Sequence, residues 1–231
     1  MSEHTVKAFD DDIGELRGLI AQMGGLAEAA IEQAMDALKR HDLTAAATIV
    51  EGDKKIDELE TEVERLAVRL MALRAPMADD LREVVAALKI AGVVERIGDY
   101  AKNIARRVAA IDGRSHIEPL SLLPAMADMA NDMVRDVLDA FAARDPEAAR
   151  RVCERDRAVD DFYNSIFRAL VTFMMENPKS ISQAAHLLFI AKNLERVGDH
   201  ATNVAEMVYY AATGEYLGDR DQGDTIGLNG E

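Results

Sequence analysis

Two segments of the chain carry the same acidic pattern one hundred positions apart. They are VERIGDYAKN at residues 94–103 and LERVGDHATN at residues 194–203. In the second segment Glu195 and Asp199 are four residues apart, so a helix would hold their Cβ atoms on one face, about 5–6 Å from each other. Two negative charges held this close need a positive neighbour, either a metal ion or a basic side chain.

Carboxylate pairs with the same spacing occur at two further places, Asp53 with Asp57 and Asp156 with Asp160. Each half of the chain would therefore hold two such pairs, on adjacent helices that could face one another. Sites built only from carboxylates suit cations such as Mg²⁺, Mn²⁺ or iron. We predict that eight residues bind metal: Asp53, Asp57, Glu95, Asp99, Asp156, Asp160, Glu195 and Asp199.

An alternative explains the same acids without a metal. Acidic helices often form ordinary surface ion pairs, here with Arg96, Arg196, Lys54 or Lys102. Repetition of the pattern in both halves favours the metal. Gly98 and Gly198 favour it further, because a glycine inside a helix costs about 1 kcal/mol relative to alanine and so suggests the close approach of another backbone or a ligand.

The elements that would position these acids are helices. Apolar residues recur at three- and four-residue steps along most of the chain, and strand signals are nearly absent. The five prolines lie at or near expected helix starts and turns. We predict an all-α protein with six long helices, at about residues 6–40, 43–73, 78–112, 119–144, 146–176 and 180–213. Residues 215–231 form an acidic tail that we expect to be disordered.

The six helices form two sets of three. Residues 35–57 align without a gap on residues 138–160 at an offset of 103, and the two acidic segments align at an offset of 100. Short turns make neighbouring helices antiparallel. We therefore predict a tandem repeat of two elongated antiparallel three-helix bundles, with domains at residues 1–114 and 115–214.

The composition argues against several functions. Lys and Arg total 27 against 42 Asp and Glu, a formal charge of −15, which disfavours direct binding to nucleic acid. No apolar run approaches the length of a membrane span, and the first residues lack the pattern of a signal peptide. Together with the single cysteine, Cys153, these features predict a cytoplasmic protein.

The sequence offers no catalytic set, so we expect a protein that is not an enzyme. A ferritin-like di-iron site needs Glu-x-x-His pairs, and none of the five histidines has a Glu three residues before it. There is also no Walker-type phosphate loop, and the lone cysteine and scattered histidines suggest no nucleophile.

Between about residue 6 and residue 213 five segments follow one another in a specific order: FDDDIGELRGLIAQMGGLAEAAIEQAMDAL, DLTAAATIVEGDKKID, RAPMADDLR, ERIGDYAKNIA and ERVGDHATNVAE. With the segments in this order, the chain resembles the PhoU family of phosphate-signalling proteins. The resemblance implies a cytoplasmic regulator built from two three-helix bundles. The implied partners are a PhoR-type sensor histidine kinase and the ATPase subunit of the phosphate-specific ABC transporter.

In this family the protein keeps the phosphate-starvation response off when phosphate is plentiful and restrains uptake. Several members carry multinuclear iron or zinc clusters on Glu/Asp-x-x-x-Asp motifs, which match the eight acids predicted above, and other members carry no metal. We also expect a homodimer that meets the membrane only through its protein partners. The alternative is a metal-binding helical scaffold, or a carboxylate-bridged di-metal protein, unrelated to phosphate signalling.

The turn at residues 74–82 is the predicted contact with these partners. It combines an apolar Met77 with charges at the end of a bundle, and loops are where binding residues concentrate. The predicted contact residues are Arg74, Met77, Asp80 and Arg82. An ordinary interhelix turn is the alternative, and the equivalent NPKSIS segment of the second repeat does not reproduce the pattern.

Overall fold

The computed structural model describes residues 2–112 and 117–217, and within them all regular secondary structure is helical, with no strand. Seven α-helices occur there: α1 (Ser2–Arg40), α2 (Leu43–Gly52), α3 (Lys54–Arg74), α4 (Asp79–Arg107), α5 (Leu123–Ala143), α6 (Pro146–Glu176) and α7 (Ile181–Thr213). Short 3₁₀ segments follow α4 and precede α5 and α7: Val108–Ala110, Glu118–Leu122 and Pro178–Ser180. The predicted all-α class is confirmed.

The six predicted helices are present, and the second of them is divided at Asp53. This residue separates α2 from α3, yet its backbone stays helical, with φ −55° and ψ −34°. The two helices therefore follow one another as a single interrupted rod. The predicted domain boundary between residues 114 and 115 lies outside the described residues, and so do residues 218–231 of the predicted tail.

Equivalent turns connect the first two rods of each repeat. Asp42 caps α2 by accepting hydrogen bonds from the amides of Thr44 and Ala45, at 3.0 and 2.9 Å. Asp145 caps α6 in the same way, through the amide of Ala148 at 3.0 Å. The residue before each cap, His41 or Arg144, has a φ of 54°. This left-handed residue ends one helix and lets the chain reverse into the next.

The two repeats form two three-helix bundles that lie side by side. The first bundle contains α1, the α2–α3 rod and α4, and the second contains α5, α6 and α7. Across the boundary α4 packs against α7 and α1 packs against α5, so the buried apolar residues form one continuous cluster. The predicted tandem bundles are confirmed. Among the described helices, none is both long and apolar enough to cross a lipid bilayer.

One contact between the repeats shows their internal symmetry. Tyr100 of α4 and His200 of α7 occupy equivalent positions, and their rings meet edge to face with centroids 5.2 Å apart. Equivalent positions of the two repeats therefore meet where α4 packs against α7. Tyr100 and His200 belong to the two acidic segments, so these segments adjoin one another at this α4–α7 contact.

Candidate functional site

In the first repeat, the predicted ligands lie where the α2–α3 rod packs against α4. Asp53 is buried at the break in the rod, and Asp57 follows one turn later at the surface. Glu95 and Asp99 are half-buried on α4. The structure therefore brings together two carboxylate pairs from adjacent helices, which the spacing alone could only suggest.

Burial and neighbouring negative charges raise the pKa values of Glu95 and Asp57. Burial, and after it the negative charges of Asp99 and Glu60, raise the pKa of Glu95 to about 7. Burial also raises the pKa of Asp57, followed by the charge of Asp53. The sequence prediction missed Glu60. Its position three residues after Asp57, on the same helix face, was the signal that could have found it.

Lys102 provides the positive charge for the first cluster. Its ammonium group contacts the buried carboxylate of Asp53 on the α2–α3 rod and the carboxylate of Asp99 on α4. The lysine thus joins two of the four predicted ligands across the helix–helix contact. Of the four basic residues considered as alternatives to metal, Lys102 is the one that contacts predicted ligands on both helices.

Gly98 makes the approach of the two helices possible. A Cβ atom at this position would lie 2.7 Å from Cδ1 of Ile56 and 3.3 Å from Oδ1 of Asp53. The group that approaches this glycine is therefore the side-chain layer of the α2–α3 rod. The matching Gly198 lies against α6, where its Cβ would be 3.3 Å from Cγ1 of Val159.

The second repeat holds a tighter acidic cluster. Asp160 of α6 and Glu195 and Asp199 of α7 each offer one carboxylate oxygen, and these oxygens all lie within 4.8 Å of one another. No other three His, Cys, Asp or Glu residues come this close anywhere in the described chain. The fourth predicted ligand, Asp156, accepts a hydrogen bond from the Thr202 hydroxyl at 3.1 Å.

Glu195 is the most buried member of this cluster, with 9% of its surface exposed. Lys192 contacts its Oε1, whereas Oε2 is buried and has no hydrogen-bond partner among the described residues. Burial and the charges of Glu195 and Asp156 raise the pKa of Asp199 to about 6. A buried carboxylate oxygen without a partner, beside two further carboxylates, fits a cation with oxygen ligands.

The predicted partner-contact residues lie at the end of the first bundle, in two different environments. Met77 is 80% exposed, and Asp80 is also exposed. The two arginines pair within the chain: Arg74 with Asp12 at 3.3 Å, and Arg82 with Asp79 at 2.6 Å. Arg74 therefore ties the turn to α1, Arg82 pairs within the start of α4, and Met77 is free to meet another molecule.

Two apolar neighbours of Met77 were not predicted. Leu73 is 75% exposed and Leu81 is 40% exposed, so the turn carries an apolar patch rather than a single methionine. The turn is also strained, because Ala75 and Ala78 have positive φ angles of 46° and 50°. Helical periodicity could have identified Leu73 as an apolar residue outside the core stripe of its helix.

Comparison with known proteins assigns the chain to a family. The family model described as PhoU domain matches it twice, at residues 20–108 and 123–208. The chain belongs to the PhoU family. A PhoU-family relative from Zymomonas mobilis, named phosphate-specific transport system accessory protein PhoU homolog, is 57% identical over 96% of this chain and 94% of the relative. A Caulobacter vibrioides protein of the same name is 45% identical over 94% and 95%.

Solved PhoU structures share the fold. PhoU from Pseudomonas aeruginosa superposes with a TM-score of 0.85 at 35% identity, covering 90% of this chain and all of the other. The phosphate transport system regulatory protein PhoU from Streptococcus pneumoniae gives 0.84 at 28% identity, over 90% of this chain and 99% of the other. The family predicted from five sequence segments is therefore confirmed.

Proposed function

We propose that this PhoU-family chain is a cytoplasmic accessory protein of phosphate transport that acts by binding other proteins and not by catalysis. The observation that carries the proposal is the double match of the PhoU domain, which extends over both repeats. Relatives that share most of their length with the chain are named as accessory proteins of the phosphate-specific transport system. The chain acts as a negative regulator of the phosphate-starvation response and restrains phosphate uptake.

Its proposed partners are a PhoR-type sensor histidine kinase and the ATPase subunit of the phosphate-specific ABC transporter. The exposed apolar patch formed by Leu73, Met77 and Leu81 supports a protein contact at the end of the first bundle. Strain in the same turn is a further support, because strained backbone concentrates at binding and switch regions. A homodimer belongs to the same proposal, supported by exposed Phe167 and Phe189 on α6 and α7.

The contact is tested by replacing Met77 with Asp. The second repeat offers a matched control in Met175, which is 78% exposed at the equivalent end of its bundle. Met77→Asp should weaken binding to the kinase or the ATPase and turn on starvation genes in rich phosphate. Met175→Asp should leave both unchanged.

Other outcomes of this experiment have definite meanings. If Met77→Asp leaves binding to both partners unchanged, the contact lies elsewhere. If deletion of the whole protein leaves the expression of starvation genes unaltered, the regulatory proposal is wrong. Substitution of Arg74 or Arg82 is a poorer test, because it would also break the ion pair with Asp12 of α1 or with Asp79 of α4.

Metal binding is the second part of the proposal. We infer that Asp160, Glu195 and Asp199 hold iron or zinc in the second repeat, supported by their clustered oxygens and by the unpartnered Oε2 of Glu195. A bound cation supplies positive charge between α6 and α7. It should raise the melting temperature, because it binds only the folded state.

Melting curves with added Fe²⁺ or Zn²⁺, and with a chelator, test this inference together with elemental analysis. The Asp160→Asn variant should lose most of the response. Identical curves under all conditions, in a protein without detectable metal, would show that the chain does not use this cluster for metal.

A further inference from the structure

The two acidic clusters differ at one aligned position. At the offset of 100, Lys102 of the first repeat corresponds to Thr202 of the second. Both side chains contact the first acid of their own repeat, since Lys102 contacts Asp53 and Thr202 donates to Asp156. A full positive charge in one repeat is thus replaced by a neutral hydroxyl in the other.

Lys102 lies between the helices of the first repeat. Its ammonium group bridges Asp53 of the α2–α3 rod and Asp99 of α4, and only 18% of its side chain is exposed. Asp53 is 7% exposed and needs such a partner, because a buried carboxylate without a counter-charge is costly. The lysine therefore has the position and the sign of charge that a bound cation would have.

The lysine of the second cluster has a different position. Among the described carboxylates Lys192 forms an ion pair with Glu195, three residues away on its own helix, and its Nζ also lies 5.3 Å from the centroid of the Tyr163 ring. Its side chain is 41% exposed. It leaves Oε2 of Glu195 without a hydrogen bond and the three clustered oxygens within 4.8 Å of one another. The corresponding acids of the first repeat, Asp57, Glu95 and Asp99, do not form such a group within the described structure.

We propose that Lys102 replaces the metal ion in the first repeat, so that this chain has one cation site, in the second repeat, and one lysine-bridged cluster. Access does not limit metal binding in the first repeat, because a cleft of about 630 Å³ lined by Asp53, Asp57 and Lys102 opens beside the cluster. A divalent ion would have to displace the ammonium group from two carboxylates. The first repeat consequently keeps its α3–α4 contact when metal is removed.

This inference rests on the proposed metal site of the second repeat. Exchange of Lys102 and Thr202 tests that metal site and the role of Lys102 separately. Mn²⁺ and Zn²⁺ binding is measured by equilibrium dialysis for the full-length protein, Lys102→Thr, Thr202→Lys and the double exchange. Lys102→Thr should raise the number of bound ions from about one to about two per chain, and Thr202→Lys should lower it to near zero. The double exchange should keep about one ion.

Substitution of one acid in each repeat locates the ions. Asp160→Asn should remove binding in the unaltered chain, and Asp57→Asn should remove it in the double exchange. If Lys102→Thr folds poorly, Lys102→Met keeps the aliphatic stem without the charge, and added Mn²⁺ should then raise its melting temperature.

Each result decides between the two proposals. Failure of both Lys102 variants to gain an ion would overturn the role of Lys102, and so would loss of metal from the unaltered chain on Asp57→Asn. If the unaltered chain binds no ion but Lys102→Thr does, the metal site of the second repeat is wrong and the role of Lys102 stands.

Discussion

Among the acids that the structure describes, Glu95 and Asp199 have the pKa values that are raised furthest, to about 7 and about 6. Burial is the first cause for both, and the charges of nearby acids are the second. Burial also raises the pKa values of Glu28, Asp57, Glu60 and Asp160. For each of these groups the folded chain binds a proton more tightly than the unfolded chain does.

Stability should therefore fall as pH rises. A raised carboxyl pKa favours folding at low pH, and this advantage is lost for Glu95 between its ordinary value of 4.5 and about 7. Urea unfolding in metal-free buffer between pH 5 and pH 8 should show a declining free energy of unfolding. Glu95→Gln should flatten the decline and add on the order of 1 kcal/mol at pH 8, after allowance for solvent screening.

The control for this prediction is Glu15→Gln, which removes an exposed acid from α1. It should leave the slope unchanged. If the free energy of unfolding instead rises across this range, positive groups in the folded protein fully neutralise the clustered acids in their charged form.

At the scale of the element, two adjacent glycines of α1 have opposite surroundings. A Cβ atom on Gly24 would overlap Cδ1 of Leu138 on α5, whereas a Cβ atom on Gly25 would meet nothing within 4 Å. Gly24 therefore sets how closely α1 packs against α5 across the repeat boundary. Gly25 is an exposed glycine inside a helix, where alanine is preferred.

Alanine at these two positions should have effects of opposite sign. Gly25→Ala should stabilise the protein by about 0.5–1 kcal/mol through helix propensity. Gly24→Ala gains the same propensity but must displace the buried Leu138, so a net loss of about 1–2 kcal/mol is expected. Thermal and urea unfolding of both variants measure the difference. Similar stabilisation by both alanines would show that Leu138 of α5 can move away from the new methyl group at position 24 without a loss of stability.

The helices themselves could be predicted because each carries a regular apolar stripe, as Ile13, Leu16, Ile20 and Met23 do in α1. The same periodicity shows that a face is covered, but not which helix covers it. The contacts of α4 with α7 and of α1 with α5 were therefore beyond the sequence. The break at Asp53 escaped prediction for a related reason, since only the contact with Lys102 of α4 reveals why this acid turns inward.

For the candidate site, too, the sequence predicted part of the arrangement and the structure was needed for the rest. The i, i+4 spacing places Glu195 and Asp199 on one helix face, and the structure brings them together with Asp160 of α6. The sequence spacing alone did not distinguish this cluster from the cluster of the first repeat. The distinction depends on Lys102 and Thr202, whose effect appears only where two helices meet.

At the scale of the molecule, Glu83 joins the two repeats. It is 5% exposed on α4, and Arg17 of α1 donates to its Oε1 from Nε at 2.7 Å. Arg144, the left-handed residue between α5 and α6, contacts its other oxygen. One buried carboxylate is thus shared by two guanidinium groups from different repeats. This ion triad adds an electrostatic link to the apolar contacts across the repeat boundary.

Removal of the Glu83 charge should weaken this link measurably. Glu83→Gln leaves two partly buried arginines without their counter-charge, and should lower the free energy of unfolding by about 2 kcal/mol. A larger loss is not expected, because the Arg144 side chain is 51% exposed and stays partly hydrated. Asp79→Asn is the control, since this acid is 78% exposed in its pair with Arg82 and should contribute less than about 0.5 kcal/mol.

A double-mutant cycle with Arg144→Gln shows whether the effect belongs to the contact between the repeats. If Glu83 and Arg144 interact as the structure places them, the double variant should be less destabilised than the sum of the single variants, by about 1 kcal/mol. The triad would also tie the repeats into one cooperative unit, so the single variants should begin to separate the unfolding of the two bundles. Circular dichroism and calorimetry of the four proteins measure both effects. Strict additivity, with one unchanged transition in every variant, would leave the apolar α4–α7 and α1–α5 contacts as the whole connection between the repeats.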